Sequence, residues 1–486
     1  MFLPELARLF EETLRHDGEK FGWVRCAIII NHAPLPFHGV LSHVPGLVYT
    51  NKQRVWIRKR CPVHGASDAL MENDENFYHL SNKDQWGRRY ATGTVLEFPR
   101  FSEQSSEAGN RCDESFADQY ENKSCTILVE VTNACNLACA VCYSDAQGKR
   151  FLPLEKFKAH ILDLATRKKV LDSIQITGGE AILHPEFWEM VEFLLSLRQV
   201  KKIYLPTNGI ELAREEVAQK LQPFREKLMV LLQFDGSGAR SNQPLRNANP
   251  TYIREKALEN LGRLGIPMQL TMTITLGVND HEIGWVIKKG MEHDHIKVIA
   301  LQPVTYSGRY DLNRNPKRRL TLSDVIKAAA AQVQQSTSIE DFKPIPCSHP
   351  NCGWITLFAR RFGLKVNIAR RIDLDRAMNQ VANRTLLNTE ELRSVIGSAP
   401  GAPLKQITEW AGKKLIRSKD IFAIAIKPFM DRFNYDQDRI SSCCHHLLNT
   451  EGVPVSFCEY NARLRPQDSW EKFPILERYS AEKSHA

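Results

Sequence analysis

The stretch EVTNACNLACAVCYSDA, Glu130 to Ala146, holds Cys135, Cys139 and Cys142 in a C-x3-C-x2-C run directly after the apolar segment TILVEV. Three thiols so close together admit three readings: buried hydrophobic side chains, a zinc knuckle, or a deliberately incomplete ligand set for an iron-sulfur cluster. A zinc site closes with a fourth Cys or His at short range, and none follows Cys142 nearby. On a cubane, three thiolates leave the fourth iron without a protein ligand, and an open position is what a reaction site needs. Other residues able to do chemistry stand further on. They are Gly178, Gly179 and Glu180 in ITGGEAILHPEF, Asn208 in LPTNG, and Asp235 in LQFDG. Towards the C-terminus come Cys347 and Cys352 in PCSHPNC, then Cys443, Cys444 and Cys458 in CCHHLLNTEGVPVSFC.

The elements that must position these residues alternate in type. Between roughly 123 and 310, short apolar segments (CTILVEV, SIQITGG, KIYLPTNG, LMVLLQFDG, MQLTMTIT, IKVIALQPV) are separated by helical patterns such as PLEKFKAHILDLATRKK and TYIREKALENLGRLG. Repeated strand-helix units predict a parallel sheet with right-handed crossovers. The block before residue 122 has no clear period. It opens on an amphipathic helical pattern, contains a strand-like QRVWIRKR and the turn CPVHG, and ends in the polar stretch RFSEQSSEAGNRCDES. The block from 311 to 486 reads as helical around SDVIKAAAAQVQQ and NTEELRSVIG, while DIFAIAIKPFM reads as a buried core segment or as part of a chain tunnel.

Composition limits the function. With 486 residues, 43% hydrophobic and 25% charged, the chain can bury a large core and carry segments around it. Acids in the first turns argue against an export signal, no window is apolar for a membrane span, and the expected location is cytoplasmic. In a reducing compartment twelve cysteines point to metal or redox chemistry and not to a disulfide frame. The net charge of +9 suits phosphates, nucleic acid or an anionic membrane surface, and a mildly basic small-molecule enzyme equally well. NPKRRL and ARRFG are short basic clusters of the kind found on solvated faces, so nucleic acid is not the expected partner.

The cysteine run, the Gly-Gly-Glu after the second strand, and the TNG and DG strand ends together resemble the radical SAM (S-adenosylmethionine) superfamily. The resemblance implies an α/β fold, a partial (β/α)6 TIM-like barrel. In it, Cys135, Cys139 and Cys142 hold a 4Fe-4S cluster whose open iron chelates S-adenosylmethionine, and Gly178, Gly179 and Glu180 meet the amino group of that cofactor. Glycine there would let the backbone approach the ligand, and a carboxylate complements an ammonium. Asn208, Asp235 and Tyr143 are further candidates for holding the cofactor. The family often has an aromatic just before the third cysteine; here that place is Val141, and Tyr143 follows the cysteine.

The ends of the chain narrow the likeness. RKRCPVHG, IPCSHPNCGW and CCHHLLNTEGVPVSFCEYN, with the cysteine run, look like the archaeal tetraether lipid synthase and pterin dimethyltransferase-like group of radical SAM proteins. That likeness implies a C-terminal domain, 311–486, with an auxiliary 4Fe-4S cluster on Cys347, Cys352, Cys443 or Cys444, and Cys458; zinc ligands or buried thiols are the rival reading. It further implies a core barrel over 123–310 and an N-terminal domain over 1–122 resembling a rubredoxin-like iron domain. Cys26 stands alone with Ile29 in the partner position, so either that domain is degenerate and metal-free or Cys26, Cys61, Cys112 and Cys125 converge. His349, His445 and His446 are expected to support the metal site or lie on the surface. The implied activity is reductive cleavage of S-adenosylmethionine to a 5'-deoxyadenosyl radical, fed by an electron donor such as a ferredoxin or flavodoxin, with hydrogen abstraction from an unactivated C–H bond. The implied outcome is C–C bond formation between lipid chains, with contact at the inner membrane surface. Modification of a pterin-like heterocycle or a peptide is the alternative enzyme reading, and an iron-sulfur electron carrier the alternative of another class. An intact Gly-Gly-Glu argues against a pure carrier.

Overall fold

The computed structural model describes residues 20–30, 41–61, 65–82, 124–168, 170–334, 336–345, 348–361, 364–369 and 420–475. The first described element is an antiparallel meander of β1 (Lys20–Ile30), β2 (Leu41–Asn51), β3 (Arg54–Cys61) and β4 (Gly65–Glu72), followed by α1 (Glu75–Asn82). QRVWIRKR is therefore a strand, as its pattern predicts. This sheet docks through polar groups. Lys59 donates from Nζ to the carbonyls of Arg432 and Phe433, and Glu72 accepts from the hydroxyls of Thr321 and Ser323.

The core is a parallel sheet built from all six predicted segments: β5 (Thr126–Thr132), β6 (Leu171–Gly178), β7 (Val200–Thr207), β8 (Leu228–Gln233), β9 (Met268–Ile274) and β10 (Ile296–Pro303). Between them run α2 (Leu154–Lys168), α3 (Phe187–Ser196), α4 (Glu215–Lys220), α5 (Ala239–Arg246), α6 (Thr251–Arg263) and α7 (Ile283–Glu292). Strand alternation decides which side chains pack and which line the interior. In β9, Met268, Leu270, Met272 and Ile274 are fully buried in the hydrophobic core, whereas Gln269, Thr271 and Thr273 face a cavity inside the sheet's curve. β8 repeats the pattern, with Leu228, Val230 and Leu232 in the core and Met229, Leu231 and Gln233 facing the cavity.

The C-terminal block extends this sheet at both edges. After α8 (Leu322–Gln332), whose start carries a Thr321–Asp324 capping box, come β11 (Trp354–Arg361), β12 (Leu364–Asn367), β13 (Ile421–Ile426), β14 (His445–Leu448) and β15 (Pro454–Ser456). β13 pairs parallel to β10, and β14 pairs parallel to β5 on the opposite edge. Among the described residues the whole is a twelve-stranded sheet, with β11 antiparallel outside β13 and the two-residue strand Lys343–Pro344 antiparallel outside β11. IFAIAI shows why β13 suits its place: Phe422, Ile424 and Ile426 are buried in the core, and the small Ala423 and Ala425 face the cavity. The opening helical pattern, the RFSEQSSEAGNRCDES stretch and NTEELRSVIG lie outside the described residues. Among the described residues no helix is long and apolar enough to cross a membrane.

Candidate active site

β5 is buried at every residue, and its last residue, Thr132, organises the cysteine loop that follows. Its hydroxyl donates to the Arg150 carbonyl and accepts from the Ala134 N–H. The loop is then tied down by distant elements. Arg309 donates to the Cys139 carbonyl at 2.6 Å, Arg246 to the Val141 carbonyl, and Asn247 to the Ala138 carbonyl, and Arg309 pairs with Cys142 in a short antiparallel bridge. Cys135, Cys139 and Cys142 are each partly exposed, and all three line one cavity of about 1170 Å³. Burial pushes the Cys135 thiol up to about 12, with the Glu180 carboxylate adding to it. Burial likewise raises Cys139, against which the Arg246 guanidinium pulls down.

Gly178, Gly179 and Glu180 form part of the wall beside this loop. The glycines have a reason other than close approach to a ligand. A Cβ on Gly178, at φ +127°, would lie 2.1 Å from the Thr132 carbonyl oxygen, and one on Gly179 would lie 1.9 Å from that of Ala134. They let the second strand close onto the cysteine loop itself, and the Gly179 and Glu180 N–H groups donate to those two carbonyls at 2.8 Å. Glu180 is buried, with one oxygen accepting from the Thr207 hydroxyl and the other from the Asn208 N–H. Burial raises its carboxyl to about 7, against the pull of those two bonds. Asn208 donates from its amide to the Cys135 sulfur at 3.8 Å and to Asn136, so it meets the cysteine loop directly. Tyr143 lines the cavity and sets its ring edge-on to Phe457 at 5.2 Å.

Asp235 lies behind the wall, fully buried. It binds Arg246 at 2.7 and 2.8 Å and Arg254 at 3.0 Å, and accepts from the Thr273 N–H and the Gln233 amide. Burial would raise its carboxyl, but the two guanidiniums outweigh that and hold it near 2. The side chains facing the cavity are the arginines, and Arg254 Nη2 is buried without a hydrogen-bond partner. Sequence reasoning missed both: an arginine within a helical pattern reads as solvated, and nothing local marks Arg246 and Arg254 as partners of one aspartate.

A second thiol group faces the same cavity. Cys352 precedes β11, Cys443 precedes β14 and Cys458 follows β15, and all three contribute to the wall. Burial pushes Cys443 up to about 11 and raises Cys458 further, each also feeling the neighbouring thiols. Arg439 donates to the Cys352 sulfur at 3.4 Å, and the Met430 N–H to that of Cys458 at 3.3 Å. The adjacent Cys444 also borders the cavity and packs against Cys125 at the start of β5. Cys347 lies outside the described residues, as do Cys112 and the side chains of Cys26 and Cys61. His445 faces the cavity among Phe429 and Phe457, His446 meets the Ser124 hydroxyl, and His349 accepts from the Asn351 N–H to cap a short turn. Among the described residues no three of these side chain types are gathered for a single metal ion.

Residues 129–289 match the family model of the Radical SAM superfamily. The 7,8-dihydro-6-hydroxymethylpterin dimethyltransferase of Methanocaldococcus jannaschii is 27% identical over 489 residues, covering 90% of this chain and 94% of that protein. The mycofactocin maturase MftC of Mycobacterium ulcerans is 34% identical over 231 residues, 45% of this chain and 59% of that one. Among solved structures, Streptococcus suis SuiB overlaps 60% of this chain and 68% of its own at 13% identity, with a TM-score of 0.38. With its core matched by that family model and nine-tenths of its length aligned to a transferase at 27% identity, the chain resembles the enzymes of the radical SAM superfamily.

Proposed function

We propose that Cys135, Cys139 and Cys142 hold a 4Fe-4S cluster and that the chain cleaves S-adenosylmethionine there to start hydrogen abstraction from a substrate in the cavity. The observation that carries this reading is the bonding of the Gly-Gly-Glu backbone to the cysteine loop, which puts three thiols and a buried carboxylate on one wall. Bound there, the cluster supplies the electron that splits the sulfonium into methionine and a 5'-deoxyadenosyl radical. The chain's residues do the holding. Glu180, with Asn208 beside it, offers a carboxylate to the methionine ammonium, and the unpartnered Nη2 of Arg254 suits the methionine carboxylate. The arginines around the loop offset the negative charge of three thiolates, and the enclosing barrel keeps water from a reactive radical. Tyr143, which lines the same cavity with its ring edge-on to Phe457, is proposed to border the cofactor.

Cys352, Cys443 and Cys458, with Cys347 as the fourth thiol, are proposed to hold an auxiliary cluster with no open iron, for electron transfer from a ferredoxin or flavodoxin or for bracing the fold. Two substrate readings follow from two faces of the cavity. Gln175 and Gln302 line the cavity alongside Gln233 and Gln269, and their amides suit the donors and acceptors of a pterin-like ring. Ile355, Leu357, Ala423 and Ala425 form an aliphatic stretch, which favours a lipid chain and C–C bond formation at a membrane surface. Anaerobically reconstituted protein with dithionite should convert S-adenosylmethionine to 5'-deoxyadenosine. Stoichiometric zinc with no turnover would remove the reading.

A further inference from the structure

The cysteine loop has an outer side, and one segment lies against it. After β10 the chain turns back over the loop so closely that a Cβ on Gly308, at φ +60°, would collide with the carbonyl oxygens of Cys142 and Tyr143. Arg309 then pairs with Cys142 and Tyr310 with Val141, and the Asp311 N–H donates to the Ala140 carbonyl. From this bridge DLNRNPKRRL runs towards α8, and its Arg314, Lys317 and Arg318 are exposed. Arg314 folds back to donate to the Tyr310 carbonyl at 3.2 Å, which keeps its charge beside the loop. Arg432 adds to the same face: burial lowers its guanidinium, and the nearby charge of Arg314 lowers it further.

Most carboxylates on the elements packed against this segment are engaged. Asp431 binds Arg319 at 2.6 Å, Asp68 binds Arg58, Asp74 binds Lys327, and the buried Glu72 accepts from Thr321 and Ser323. Asp145 stands 3.6 Å from Arg309, and Asp311 is the segment's own exposed acid. The field outside the loop is therefore set by Arg314, Lys317 and Arg318, and it is positive. The three loop thiols line the cavity on the other side, where cofactor and substrate must lie. A protein that feeds electrons to the loop has to approach from outside.

We propose that segment 308–318 docks a small acidic one-electron carrier protein, whose electron crosses the loop backbone to the group held by Cys135, Cys139 and Cys142. This deepens the reading above, since it rests on a cluster in that loop. The reduced carrier loses one electron and the cluster gains it, with no atom or proton exchanged. A flavodoxin and a ferredoxin are the two candidate carriers, sharing an acidic surface around a one-electron centre.

The test measures equilibrium binding of oxidised flavodoxin and of oxidised ferredoxin to the full chain, purified anaerobically. One carrier should bind, and its affinity should weaken as salt is added. Charge reversal in Arg314→Glu/Lys317→Glu/Arg318→Glu should weaken binding at least about tenfold. Arg198→Glu/Lys201→Glu/Arg225→Glu makes the same change of net charge at exposed positions near the opposite, N-terminal ends of β7 and β8, and should bind like the wild type. Carrier-driven 5'-deoxyadenosine formation should fall in the first variant only, while the dithionite-driven rate, which needs no docking, stays at the wild-type level in both. If the first variant fails to unfold cooperatively, Arg314→Gln/Lys317→Gln/Arg318→Gln takes its place, with a loss of at least about threefold. Absence of carrier binding, undiminished affinity in the folded patch variant, or equal losses in both triple variants overturns the proposal. So does binding of phosphatidylglycerol vesicles or single-stranded RNA through the patch in the carrier's stead. No 5'-deoxyadenosine from the wild type with dithionite counts against the cofactor reading and leaves the binding result standing.

Discussion

Cys135, Cys139 and Cys142 sit on one loop, while Cys352, Cys443 and Cys458 come from three segments at the two edges of the sheet. The first group is surrounded by backbone: two glycines are pressed against the loop's carbonyls, and the arginines and an asparagine hold its other peptides. The second is lined largely by side chains, with Phe429, Phe457 and His445 packed together and Arg439 on one sulfur, while the Met430 and His445 N–H groups reach the other two. A site pinned by its backbone can keep an incomplete ligand set in register with a polar wall. A site assembled from separate segments gains from a group that bonds to all of them, which is the logic of a metal that also braces the fold.

The largest effect that would break this contrast comes from replacing the loop thiols. A Cys135→Ala/Cys139→Ala/Cys142→Ala variant should lose 5'-deoxyadenosine formation to background yet retain iron and an iron-sulfur spectrum, and that iron should fall once Cys347 and Cys352 are also replaced. Loss of all iron with the first three changes would mean the second group holds no cluster. Asp235→Asn comes next. It leaves Arg246 and Arg254 buried with no carboxylate and should cost about 3–5 kcal/mol in denaturant unfolding. Because the Asp235 carboxyl is held near 2 when folded, against an ordinary 3.8, its contribution is present above about pH 4 and is lost as pH falls towards 2. Acid unfolding of the wild type should show this slope and the Asn variant should lack it.

A glycine pair sharpens the comparison at smaller scale. Gly179→Ala forces a Cβ into the Ala134 carbonyl and should destabilise by about 1–3 kcal/mol with a raised KM for S-adenosylmethionine. Gly353→Ala, beside the second group, meets the flexible end of Ile345 at 2.9 Å and the Ile426 carbonyl oxygen less tightly at 3.1 Å, and should cost less, about 1 kcal/mol. Equal costs would erase the distinction between backbone-tight and side-chain-built sites. The smallest effect belongs to Arg439→Gln, which removes a charged donor from the Cys352 sulfur. A redox titration followed by electron paramagnetic resonance should place the second centre's potential at a more negative value, and an unchanged potential would detach Arg439 from it.

What could be read from the sequence follows the range of the interactions. The six core strands and the cysteine loop are marked by periodicity and spacing within short windows, so their pattern and their place agree. The places of β13 and β14 are decided by pairing with β10 and β5, far away in the chain, and no window contains both partners. Cys443 and Cys444 show the same limit on two residues. Neighbours on an extended segment point apart, so the sequence says that they diverge; both border the cavity, and only the packing of Cys444 on Cys125 shows which of them also turns towards β5. The Gly-Gly-Glu was legible as a site, but the reason for its glycines was not, because the atoms that crowd them belong to another strand.

The pairing of β14 with β5 also sets an order of assembly. Synthesis runs from the N-terminus, so the strand edge beside the cysteine loop stays unpaired until His445–Leu448 has left the ribosome. For most of translation that edge is a template for unwanted strand addition, and closing it means joining segments that are very distant along the chain, a slow step. Completion of the sheet is therefore the event that ends the aggregation hazard.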